Sequence, residues 1–124
     1  YSFFIGTVRR GINENIDGIF LECYEDLAYS QLNEIKKDSV KKWNLSDCVI
    51  IHRIGDLNIS EKIVLVIAAA PHRSDCIEAC EFIIDTLKAN VALWKFHVKG
   101  KEKEPIDQKK KDLDKYLSWS QAIS

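Results

Sequence analysis

Methionine is absent from the 124 residues, and the chain opens on Tyr1-Ser2-Phe3-Phe4-Ile5, which already reads as the middle of a strand. The native N-terminus is therefore expected to lie outside this sequence, with any targeting signal it carried. No apolar run approaches the roughly 20 residues that cross a bilayer, and no signal peptide is visible. Neither sign of charge is in excess: Lys and Arg number 18, Asp and Glu 19, for a net charge of -1. No global field selects nucleic acid or a membrane surface as partner. The four cysteines, Cys23, Cys48, Cys76 and Cys80, form no CxxC pair. They read as reduced core residues of a protein in a reducing compartment such as the cytoplasm, too scattered to hold a metal. A metal or redox role for Cys76 and Cys80, one helical turn apart, is the weaker alternative. P-loop, GxGxxG, HExxH and GxSxG motifs are all missing, and acidic residues do not cluster near histidine. Nothing points to a nucleotide fold, a zinc hydrolase or a serine hydrolase.

What is present suits one globular domain with a real core: 46% hydrophobic and 30% charged residues. Tyr1 to Val8 reads as a strand, followed by a polar loop from Arg9 to Gly18 that is long for a hairpin and expected to be mobile. Ile19 to Tyr24 resumes strand character. Asp26 is the expected N-cap of a helix to about Trp43, with Leu27, Gln31, Ile35 and Val40 near a helical period. Cys48 to Ile51 is a third strand, and Leu57 and Ile59 bracket a turn. Ile63 to Ala70 is a continuous apolar run, so it is expected to be covered on both faces and central in its sheet. Pro71 breaks it. A second helix follows from about Ser74 to Asn90, capped by Ser74 or Asp75, with Asp75 and Glu78 spaced as a capping box. Val91 to Val98 is a short strand or extended arm. Lys99 to Lys111 reads as a flexible connector or solvated surface, and Leu113 to Trp119 as a short terminal helix. The expected organisation is a single α+β domain over 1–98, a mainly antiparallel sheet with helices packed on one side, then a charged segment over 99–124.

His72-Arg73 is the sharpest local feature. A helix N-terminus carries unpaired N–H groups and a positive partial charge, so a His-Arg pair there suits an anion such as a phosphate or carboxylate. A surface pair capping a strand end is the equally weighted structural reading. Lys88, in the last turn of the same helix, is by itself a lysine favoured by the helix dipole. Lys95 follows Trp94 in an apolar segment, where a partly desolvated lysine would lose its proton more easily and serve acyl chemistry. Arg9 ends the first strand. His52-Arg53, two residues before Gly55, reads as a strand-end turn with a structural task. What remains is a cationic site without an obvious nucleophile or metal.

The ordered set Phe4-Ile5-Gly6-Thr7-Val8-Arg9, Leu21-Glu22-Cys23-Tyr24, His52-Arg53-Ile54-Gly55, Pro71-His72-Arg73, Glu78-Ala79, Ile84-Asp85-Thr86-Leu87-Lys88 and Trp94-Lys95 resembles the large, catalytic subunit of molybdopterin synthase, the MoaE family. The likeness covers roughly Phe3 to Lys95. It implies an α/β hammerhead-like fold and conversion of cyclic pyranopterin monophosphate to molybdopterin by installing a dithiolene. The sulfur would come from the C-terminal Gly-Gly thiocarboxylate of a small ubiquitin-like subunit, and no cofactor is implied. The large subunit would be a homodimer at the centre of a heterotetramer. Carried over by position, Lys88 and Lys95 are the catalytic residues, and Arg9, His72, Arg73 and Phe4 bind substrate. The chain departs from the family at Ala92, where proline is common, and at Phe96-His97, where an acidic residue is common. The competing function is a non-catalytic module that binds an anion or a partner's C-terminal tail. From Ser74 to Lys88 a helix would span about 21 Å. His72-Arg73 and Lys88 of one chain would then be too far apart to grip one small substrate. The site is therefore expected to be shared, with Arg9, Lys88 and Lys95 from one protomer and His72-Arg73 from its mate.

Overall fold

The computed structural model describes residues 1–10, 15–91 and 93–106. In chain order its elements are β1 (Ser2–Thr7), β2 (Gly18–Cys23), α1 (Glu25–Trp43), β3 (Asp47–His52), β4 (Gly55–Asn58), β5 (Lys62–Ala69), α2 (Arg73–Asn90), β6 (Leu93–Lys99) and β7 (Glu102–Pro105). This is the expected α+β arrangement, with every strand pair antiparallel. The strands divide into two sheets rather than one, ordered β1-β5-β3 and β4-β2-β6-β7. Among the described residues no helix is long and apolar enough to cross a membrane. The loop residues 11–14, Ala92 and the expected terminal helix at Leu113 to Trp119 lie outside the described residues.

β5 is central in its sheet, as its apolar run predicts. Its two faces differ, however. Val66 and Ala68 are fully buried beneath the helices, where they meet Ile35, Ala79 and Ile83 in the main core. Leu65 and Ile67 point the other way and stay partly open. Beside them, Phe3, Ile5 and Ile51 are 66%, 42% and 54% exposed. Within one chain the second face is therefore not covered as expected.

The helix ends correct the sequence reading. α1 starts at Glu25 with Tyr24 as N-cap, not at Asp26, and no side chain caps it. Glu25 and Asp26 instead sit in the first turn and Lys41 and Lys42 in the last, matching the helix dipole. Asn44 closes the helix in the left-handed region at φ 49°, a conformation asparagine tolerates. The buried stripe of α1 is Ala28, Ile35, Ser39 and Trp43, while Leu27 faces solvent. Ser39 avoids an unpaired hydroxyl by donating to the Ile35 carbonyl at 2.7 Å, as Thr86 does to Phe82 in α2.

α2 begins at Arg73 with His72 as N-cap, one to two residues earlier than Ser74 or Asp75, and has no side-chain cap. The Asp75–Glu78 capping box does not form there. Glu78 instead accepts a hydrogen bond from Trp43 Nε1 at 3.1 Å, and the Trp43 and Phe82 rings pack 5.2 Å apart. These contacts fix α2 against α1. Cys48, Cys76 and Cys80 are buried and unbridged, as core residues should be. Leu57 lies in β4, not in a turn, and fills a second, smaller core with Val8 and Leu21. The stretch after Lys99 turns at Gly100 (φ 57°) and returns as the exposed edge strand β7 rather than as a connector.

Candidate functional site

The site begins as a row across the first sheet. Register places Gly6 of β1 beside Val64 of β5 and Val64 beside His52 of β3. A Cβ on Gly6 would meet Val64 Cγ1 at 2.8 Å and the Phe4 ring at 3.3 Å, so glycine alone keeps this row open under Phe4. The register of β1 shifts between Gly6 and Thr7, which brings both residues to the same hollow. Arg9 follows β1 directly. Its neighbour Arg10 is committed elsewhere, donating through Nε and Nη2 to the Ile16 carbonyl at 3.3 and 3.2 Å.

The last turns of α2 form the second wall with Ile84, Leu87 and Lys88. The third wall is β6, through Leu93 and Lys95. The chain passes from β3 into β4 by way of Arg53 and Ile54, and Gly55 sits across from Leu21, which sits across from Lys95. That crossing between sheets puts the end of β3 near the lysine. Together these elements enclose a cavity of about 480 Å³, within the usual size of a small-molecule site. Arg9, Lys88 and Lys95 border it, and among the described residues no carboxylate does. A concave wall with one sign of charge concentrates anions.

Of the six residues singled out from the sequence, Phe4, Arg9, Lys88 and Lys95 meet at this cavity. His72 and Arg73 do not. They stand exposed at the opposite end of α2, and 15 residues of helix put Arg73 about 22 Å from Lys88. Lys95 is exposed rather than partly desolvated, since Trp94 projects to the other side of β6 and packs edge-on against Tyr24 at 5.6 Å.

The sequence reading missed His52. Arg53 has the structural task assigned to the pair, bonding the Lys62 carbonyl at 3.0 Å and pairing with Glu61 at 3.2 Å. His52, in contrast, lines the cavity. Strand alternation held the signal: Cys48, Ile50 and His52 share the face that looks toward the core. His52 Nδ1 lies 2.8 Å from the Arg53 carbonyl oxygen. A carbonyl only accepts, so Nδ1 carries the proton and Nε2 of the neutral ring is an acceptor. Burial holds His52 below its ordinary value of 6.5; the Arg53 carbonyl opposes this and the Lys95 charge adds to it. Burial pushes the Cys48 and Cys80 thiols up, which suits packing and not nucleophilic attack.

Known proteins are similar to this chain in sequence and fold. The catalytic subunit of molybdopterin synthase from Haemophilus ducreyi is 33% identical over 119 residues, covering 95% of this chain and 79% of the relative. Molybdopterin synthase from Staphylococcus aureus superposes with a TM-score of 0.78 at 30% identity, over 86% of this chain and 78% of that one. The MoaE protein of Burkholderia ambifaria superposes equally well, with a TM-score of 0.78 at 29% identity, over 96% of this chain and 78% of that one. The family described as MoaE protein matches residues 1–90, and on that match and these likenesses the chain belongs to the MoaE family.

Proposed function

We infer that this chain is the catalytic subunit of a molybdopterin synthase. It transfers sulfur in molybdenum cofactor biosynthesis, converting cyclic pyranopterin monophosphate to molybdopterin. The donor is the C-terminal Gly-Gly thiocarboxylate of a small ubiquitin-like subunit. The observation that carries the reading is the cavity that joins Arg9, Lys88, Lys95 and Phe4, with no carboxylate among its described lining residues. A cyclic phosphate and a thiocarboxylate are both anions, and a wall of cations holds them together against their mutual repulsion. Phe4 offers an apolar surface for the ring. Lys88 and Lys95 stabilise negative charge that builds on the acyl oxygen and on sulfur as the acyl–sulfur bond breaks.

The working unit in this proposal is a homodimer within a heterotetramer, in the cytoplasm, where four unbridged cysteines are at home. His72 and Arg73 complete the cavity of the other protomer, a reading supported by their separation from Lys88 in one chain. The uncovered apolar rows Phe3–Ile67–Val49 and Ile5–Leu65–Ile51 are the surface we assign to the second copy.

The test is reconstitution of the full chain with a thiocarboxylated small subunit and the cyclic pterin, followed by detection of the dithiolene product. Product formed in step with the added chain supports sulfur transfer. Binding of the small subunit with no product at any concentration would leave the non-catalytic tail-binding module instead.

A further inference from the structure

Sulfur transfer leaves one atom to be supplied. The carrier arrives as R–CO–S⁻ and departs as R–COO⁻, while its sulfur stays on the pterin side chain. Once the sulfur has bonded to a pterin carbon, the carrier is held through an R–CO–S–C linkage. Water is the available source of the missing oxygen. Its oxygen adds to the acyl carbon, the C–S bond breaks, and the bonding pair leaves with sulfur as the pterin thiolate. One water proton must be taken up as the bond to carbon forms, and the second leaves the new carboxylic acid for solvent. Nothing is oxidised or reduced in this step.

Among the described residues of one chain, the cavity offers few groups that can take that first proton. Arg9, Lys88 and Lys95 are cations at neutral pH, Thr7 is not basic, and no carboxylate among the described residues borders the space. The remaining lining side chains are apolar, apart from His52. His52 is half-buried at the end of β3, and its Nδ1–H is spent on the Arg53 carbonyl at 2.8 Å. That bond fixes the ring and sets the tautomer, which makes Nε2 the basic nitrogen. Lys95 from β6 repels a proton on the ring, and Lys88 from α2 and Arg9 after β1 share its cavity. Arg53, on its own strand end, is neutralised by Glu61 at 3.2 Å.

We propose that His52 is the general base of this enzyme, its Nε2 accepting the proton of the water that splits the acyl–sulfur linkage. The proposal rests on the sulfur-transfer reading above. It gives a neutral residue a task that the cations around it are unable to perform. Burial, and after it the nearby lysine, lower the ring's affinity for a proton and so favour the neutral form that a base needs. The sign is then fixed: activity falls as acid protonates Nε2, with a midpoint below 6.5.

His52→Asn is the variant of choice, because its side-chain amide can still donate to the Arg53 carbonyl while losing the basic nitrogen. The full chain, the thiocarboxylated small subunit and the cyclic pterin are mixed from about pH 5 to 9, and product rate and covalent carrier–pterin adduct are followed by intact mass. The expected result is a fall in turnover of about 10²-fold or more, loss of the acid limb, accumulation of adduct, and partial rescue by added imidazole. Turnover within about two-fold of the parent, or an unchanged acid limb, would overturn the assignment. Should His52→Asn not hold its fold by thermal unfolding, His52→Gln is read by the same criteria. If the parent itself makes no dithiolene, the sulfur-transfer reading has failed; if the parent does and the variant matches it, only the role of His52 has.

Discussion

The two ends of α2 carry the same kind of side chain in opposite settings. At the C-terminal end, Lys88 borders a cavity walled by β1, β5 and β6, with Arg9, Lys95 and His52 around it. At the N-terminal end, His72 and Arg73 are exposed on the open start of the helix, with no side-chain cap between them and solvent. The dipole favours a lysine at the first place and an anion at the second. Positive groups at a helix start are locally unfavourable unless something negative joins them. One end lines the cavity, and the other takes no part in it within one chain. A second copy of the chain would supply each with what it lacks.

The largest expected effect probes the cavity end. Lys95→Ala removes an exposed side chain, so the fold should survive. If Lys95 stabilises charge only as the acyl–sulfur bond breaks, product formation should drop by about 10²–10³-fold while the small subunit still binds. Titration of the small subunit and a turnover assay on the same preparation separate the two. A loss of affinity with turnover per complex intact would make the cavity a holding site only.

The next test asks whether the two ends belong to one site. Lys95→Ala keeps His72-Arg73, and Arg73→Ala keeps the cavity cations. Each alone should be nearly inactive. Mixed in equal amounts and allowed to exchange, half of the dimers pair one of each and have one intact site in two. Activity should then recover to about a quarter of the parent level if sites form across a two-fold axis. No recovery, with subunit exchange demonstrated, would return each site to a single chain.

These ends were legible in the sequence to different degrees, for physical reasons. The cations could be named because a proline-terminated strand, a helix start and a helix end all leave local marks. β5 could be placed at the centre because a continuous apolar run has few other homes. β4 could not, since Gly55, Asp56 and Asn58 have turn composition and become a strand only by pairing with β2. The Asp75–Glu78 box failed because Glu78 is claimed by Trp43 from another helix, a tertiary contact that outweighs a local motif. His52 was hidden for a similar reason. Its neighbours along the chain suggest a turn before Gly55, whereas its approach to Lys95 depends on how two sheets meet.

The smallest expected effect separates stability from function at the open end. His72 has the extended backbone of an N-cap, φ -107° and ψ 135°, yet its ring makes no capping bond. Serine at such a position accepts a hydrogen bond from the first turn of the helix. His72→Ser should therefore stabilise the fold by about 0.5–1 kcal/mol. That gain corresponds to a rise of about 2–5 °C in Tm for a domain of this size. If His72 donates to the partner protomer's substrate, the same change should lower turnover in the reconstituted enzyme. A natural position that a single polar residue improves in stability, at a loss in activity, is one held for function. If thermal unfolding shows no gain for His72→Ser, the ring is already stabilising the helix start, and the contrast between the two ends of α2 narrows to Arg73 alone.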